Sequence, residues 1–111
     1  MYVVVNVSFL TKMKNTKEQK IQLEHPAGKK AIQMDAFKYE VLCQAILGHL
    51  GNVDESTHTG ILQAINEYFI RNKISFEGSL EWHMEWVKLD LEAKKKIRRF
   101  VGKSPITFAI I

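Results

Sequence analysis

The chain has 111 residues, 46% hydrophobic and 25% charged, which suffices for one ordinary domain with its own core and is too little for two. Its single cysteine, Cys43, excludes an internal disulfide framework and predicts a reducing, cytoplasmic setting. The net charge of +4 is unevenly spread, with balances of +4 over residues 1–34, −3 over 35–77 and +3 over 78–111, so the basic ends mildly favour a polyanionic partner.

Met1-Tyr2-Val3-Val4-Val5 opens the chain. No basic residue precedes this run and no small-residue cleavage site follows it, so it makes a poor signal peptide. It is also far too short to span a bilayer, and no membrane role is expected. Asn6-Val7-Ser8 would be a glycosylation acceptor only in a secreted protein. Val3, Val5, Val7 and Phe9 alternate as in a strand, and Thr11 to Lys20 is polar and Lys-rich, like a linker. Met13 is an alternative start, which would make Met1–Lys12 an upstream extension. Residues 1–20 therefore read as an extension and 21–111 as the domain.

Ile21-Gln22-Leu23-Glu24 and Ala31-Ile32-Gln33-Met34 both alternate, with Pro26 and Gly28 punctuating the turn between them. They predict a β-hairpin or two short extended arms. Asp35 is placed to cap a first helix from Ala36 to about Leu50, with Tyr39, Leu42, Cys43, Ile46 and Leu50 on one face and Gly51 ending it. Asn52–Ser56 reads as a polar linker. Ser56 or Thr57 caps a second helix to about Arg71, whose apolar stripe is Ile61, Leu62, Ile65, Tyr68 and Phe69.

Ser79 is a fair cap for a third helix from Leu80 to about Lys96, which carries two apolar stripes. Leu80, Met84, Val87 and Leu91 form one, and Trp82, Trp86, Leu89 and Ala93 the other, while Glu81, Glu85, Lys88, Glu92 and Lys95 fill a polar sector between them. Such a helix is sandwiched between layers or lies at a subunit contact. Ile97-Arg98-Arg99-Phe100 and Pro105–Ile110 flank a Gly-containing turn and predict a second hairpin.

Two helices, a third after a short connection, then a two-stranded ribbon is the winged helix-turn-helix order, an α+β class. The residues add a resemblance. His25-Pro26 with Gly28-Lys29-Lys30, then Phe76-Glu77-Gly78-Ser79 and Trp82, and above all Val87-Lys88-Leu89-Asp90-Leu91-Glu92-Ala93 resemble a family of small, uncharacterised bacterial domains, over roughly Ile21 to Ile110. The resemblance implies a short N-terminal strand segment followed by a winged-helix-like fold. It implies no activity and carries over no catalytic residue.

Lys94, Lys95, Lys96, Arg98 and Arg99 cluster where the third helix meets the ribbon, and Lys103 falls at the ribbon tip. Lys88, Lys95, Arg98, Arg99 and Lys103 are the expected DNA-contacting residues, because Lys and Arg displace counterions from phosphates. The plainer reading is a solvated helix end, where cations also suit the macrodipole. A base-reading helix should offer Arg, Lys, Asn or Gln near its N-terminus, and Glu81 and Glu85 stand there instead. Any DNA contact is thus expected from the ribbon, with modest specificity, and the third helix reads as a packing element.

Trp82, Trp86 and Leu89 are the alternative interface, for a homodimer or a protein partner. The favoured reading is that this stripe packs under the N-terminal hairpin or the ribbon. Enzyme chemistry is not expected. Cys43 lies within an apolar face, and Gly28-Lys29-Lys30 lacks the features of a phosphate loop. His25, His49, His58 and His83 show no metal-ligand spacing, and Asp90 near Lys94 reads as helix support. No cofactor or metal is expected.

Overall fold

Each of the three helices begins at a residue whose side chain satisfies a first-turn amide, and these caps set the frame of the fold. In the computed structural model, which describes residues 19–102 and 104–111, Asp35 Oδ2 accepts from the Lys38 amide at 3.1 Å and starts α1, Ala36–Leu50. Thr57 Oγ1 accepts from the Gly60 amide at 3.0 Å and starts α2, His58–Arg71. Ser79 Oγ accepts from the Trp82 amide at 3.1 Å and starts α3, Leu80–Ala93. The expected strand at Val3–Phe9 and the Met13 start lie outside the described residues.

Before α1, strands β1 (Lys20–Gln22) and β2 (Gln33–Asp35) pair antiparallel, with Ile21 opposite Met34. The amide of Leu23 extends the pairing to the Ile32 carbonyl. A second sheet has three antiparallel strands in the order β3-β5-β4, where β3 is Ser56–Thr57, β4 is Ile97–Phe100 and β5 is Thr107–Ile110. Among the described residues, the result is a mixed α+β fold of three helices and two small sheets. Among the described residues, no helix is long and apolar enough to cross a membrane.

The core runs through all three helices. Leu42, Ile46 and Leu50 from α1, Ile61, Ile65 and Phe69 from α2, and Met84, Val87 and Leu91 from α3 are buried together with Leu23, Met34, Ile97 and Phe108. Burying each such side chain contributes on the order of 1.5–3 kcal/mol relative to leaving it in water.

Three features differ from the sequence reading. Ser56 is not a linker residue but, with Thr57, the two-residue strand β3 on β5. So short an element carries no alternation of its own. Helix α3 ends at Ala93 instead of near Lys96. Lys95 takes a left-handed φ of 62°, and the amides of Lys95 and Lys96 turn back to the carbonyls of Glu92 and Leu91 in a Schellman closure. Glycine is the usual signal for that turn and is missing here.

Part of the polar sector of α3 is withdrawn from solvent, although Glu81 is 61% and Glu85 45% exposed. The sheet covers that part, so Lys88 is 1% exposed and Glu92 is largely shielded. Asp90 is fully buried, and its expected i,i+4 pair with Lys94 is present at 3.0 Å as one part of a larger network.

Candidate functional site

Successive residues of a strand point to opposite faces, and this alternation divides the expected basic cluster. Arg98 is exposed, with its guanidinium 5.1 Å from the centre of the Phe100 ring two residues on. Arg99 turns the other way, towards α3. Its Nε donates to Glu92 Oε1 at 3.1 Å and its Nη2 to Glu92 Oε2 at 2.8 Å, and the guanidinium lies 5.0 Å from the Phe108 ring centre. The Glu92 hydrogen bonds raise the Arg99 pKa further and fix its charge. Lys95 and its neighbour Lys96 are exposed at the α3–β4 junction. Lys103 lies outside the described residues. Lys88 is withdrawn from solvent and stands apart from this surface.

Lys88 instead forms the floor of a cleft of about 310 Å³ between the start of α2, the face of α3 and the second sheet. Helical pitch stacks Glu81, Glu85 and Lys88 on one side of α3. The Thr57 cap fixes His58 as the first residue of α2, opposite them. The Lys88 ammonium lies 2.9 Å from His58 Nδ1, 3.3 Å from Glu85 Oε1 and 4.0 Å from the centre of the Phe108 ring. His58 Nε2 in turn lies 2.7 Å from Glu81 Oε2. Burial lowers the Lys88 pKa, and the attraction of Glu85 only partly opposes it.

The sequence reading assigned no role to His58 and sent Lys88 to solvent. The spacing of Glu81, Glu85 and Lys88 was visible, but nothing local shows that α2 and β5 close over it.

A second buried charge has a different character. Asp90 Oδ2 accepts from the Tyr39 hydroxyl at 2.6 Å and from Lys94 Nζ at 3.0 Å, and Oδ1 accepts from the Glu24 amide at 2.9 Å. Burial and the Asp90 bond together push the Tyr39 pKa up, so the phenol keeps its proton. Burial also pushes the neighbouring Cys43 thiol up to about 12. Every acceptor here is engaged by the protein itself, which marks a structural hub.

The aromatic stripe of α3 also divides. Trp86 is partly covered, packs against the core and meets the ring of His25, in the N-terminal hairpin, edge-on at 6.4 Å. Leu89 is partly covered as well. Trp82 is 50% exposed, edge-on to His83 at 4.9 Å. Among the described residues, no group of three or more His, Cys, Asp or Glu side chains is placed to hold a metal ion.

Compared with known proteins, residues 20–108 match the model of a family of unknown function. No curated protein and no solved structure matches the chain.

Proposed function

The chain belongs to that family of unknown function, DUF6958, and we propose that it is a winged-helix-like, non-catalytic module of the cytoplasm that holds nucleic acid by its phosphates. The observation that carries this reading is the run of exposed cations Lys95, Lys96 and Arg98 where α3 passes into β4. The connectivity supports it too. The order α1-β3-α2-α3-β4-β5, with β5 between β3 and β4, is compatible with a winged helix whose wing would be the β4–β5 hairpin.

The chemistry limits the mode. The first turns of α3 offer Glu81, Trp82 and Glu85, so base edges are not read by that helix end. Lys88 and Arg99 are held by protein partners, which leaves Lys95, Lys96 and Arg98 as the contacts among the described residues. Binding is therefore phosphate-led and weakly specific.

Anisotropy titrations of a labelled DNA duplex across salt concentrations test this. Affinity should fall steeply with salt, and removing Lys95 or Arg98 should reduce the log–log slope by about one each. No binding at low salt rejects the proposal.

Trp82 favours a second reading. A half-exposed tryptophan on a helix end is a typical interface anchor, here for a second copy of the chain or another protein. Size-exclusion chromatography with light scattering tests the homodimer form. A dimer that Trp82→Ala converts to monomer supports it, and a monomer in both cases removes it.

A further inference from the structure

The arrangement around Lys88 is that of an activated nucleophile: an attacking group, a base within hydrogen-bond reach, and a third group that orients the base. Lys88 Nζ is the attacking group, His58 Nδ1 is 2.9 Å away, and Glu81 holds the far ring nitrogen of His58 at 2.7 Å. A Glu81 carboxylate places the ring proton on Nε2 and leaves the Nδ1 lone pair facing the amine. Lys88 lines the cleft of about 310 Å³ together with the apolar Pro105, Ile106 and Phe108 and with Thr57 and Thr59.

From this geometry we infer that Lys88 is a carbonyl-capturing amine that takes a small aldehyde or ketone in the cleft as an imine. The inference is independent of the nucleic-acid reading. In the capture step, Lys88 Nζ gives a proton to His58 Nδ1. Its freed lone pair then attacks the carbonyl carbon, forming a C–N bond and a carbinolamine. His58 returns that proton to the oxygen and then carries a second one from the carbinolamine nitrogen to the same oxygen, which leaves as water as the C=N bond forms. An ammonium and a carbonyl compound become a protonated imine and one water, with no oxidant or reductant involved.

The charges facing Lys88 come from three elements. Glu85 and Glu92 on α3 and the ring of Phe108 on β5 favour the ammonium, while Arg99 on β4 and burial disfavour it. Burial is the largest of these influences, so the Lys88 ammonium gives up its proton more readily than an exposed lysine does. Burying a lysine with these partners costs more than filling the position with leucine, which is the reason to look for a use.

Reductive trapping tests the inference. The full chain is treated with acetaldehyde and cyanoborohydride near neutral pH, and the ethylated lysines are ranked by peptide mass spectrometry. Lys88 is expected to react faster than the exposed Lys95 and Lys96, by more than about tenfold. Its labelling should half-saturate at lower pH than theirs. His58→Gln should slow Lys88 and move its pH profile upward, without changing Lys95 or Lys96. If Lys88 is labelled no faster than the exposed lysines, the inference is overturned. Should His58→Gln fail to fold, the ranking and pH profile in the wild type decide alone.

Discussion

The carboxylate of Asp90 in α3 accepts a hydrogen bond from the backbone amide of Glu24, 66 positions earlier, at 2.9 Å. That bond ties the N-terminal hairpin to the helical core. The same carboxylate also takes the Tyr39 hydroxyl of α1, so one side chain joins three elements. Removing it takes the acceptor from three part-buried hydrogen bonds, those of the Glu24 amide, the Tyr39 hydroxyl and the Lys94 ammonium. Asp90→Ala should therefore lower stability by about 3–5 kcal/mol, and Tyr39→Phe, which leaves Lys94 on the carboxylate, by about 1–2 kcal/mol. Urea unfolding of both variants and of the double variant checks this. Additive losses would show that Tyr39 and Asp90 are not coupled.

Lys88→Met should behave in the opposite way. Methionine fills the same volume without the desolvation of an ammonium. The partners left behind, Glu85 and His58, are 45% and 34% exposed and can turn to water. The substitution should leave stability unchanged or raise it by about 1–2 kcal/mol near neutral pH. Lys88 has a lowered folded-state pKa, so the folded state binds fewer protons than the unfolded state between that lowered value and the ordinary 10.5. Stability of the wild type relative to Lys88→Met must therefore rise with pH through that window. A stability difference that stays flat on the alkaline side contradicts the shift.

Those two residues also mark where the sequence stopped being informative. Caps are local chemistry, so Asp35 and Ser79 marked their helix starts to the residue, Thr57 was one of two candidates for α2, and Gly51 marked the end of α1. The apolar stripes of the three helices hold most of the core cluster for the same reason, since helical period determines them, although Val41 and Ala45 of α1 fell outside the stripe. Burial of Lys88 and Asp90 depends instead on what lies across from α3. That is settled by β5 and by Glu24, far away in the chain, and a helical wheel cannot see either. The strand β3 escaped for a related reason, since two residues acquire strand character only from their partner in β5.

Gly60 tests the packing at the head of α2. Alanine in a helix is ordinarily better than glycine by about 1 kcal/mol. A Cβ on Gly60 would lie 2.5 Å from Ser56 Oγ, which is engaged with His49 Nε2 at 2.9 Å. Ser56 must rotate and give up that bond. Gly60→Ala should therefore be neutral or destabilising alone, and should regain a stabilisation of about 0.5–1 kcal/mol in a Ser56→Ala background. Thermal melts of the four proteins read the difference directly.

Lys95 holds a left-handed backbone angle of 62° at the close of α3, and Lys73 one of 54° at the close of α2. A side chain at such a position costs about 1 kcal/mol that glycine does not incur, partly offset by the greater freedom of glycine in the unfolded chain. Lys73→Gly and Lys95→Gly should each stabilise the fold by about 0.5–1 kcal/mol. Their effects on nucleic acid should differ. Lys95 adjoins the exposed Lys96 and Arg98, whereas Lys73 lies in the α2–α3 connection. Lys95→Gly should then raise the unfolding midpoint while weakening duplex binding and lowering its salt slope by about one. Lys73→Gly should raise the midpoint and leave binding unchanged. Equal loss of binding in both variants would mean that general positive charge, and not the α3–β4 junction, attracts the duplex.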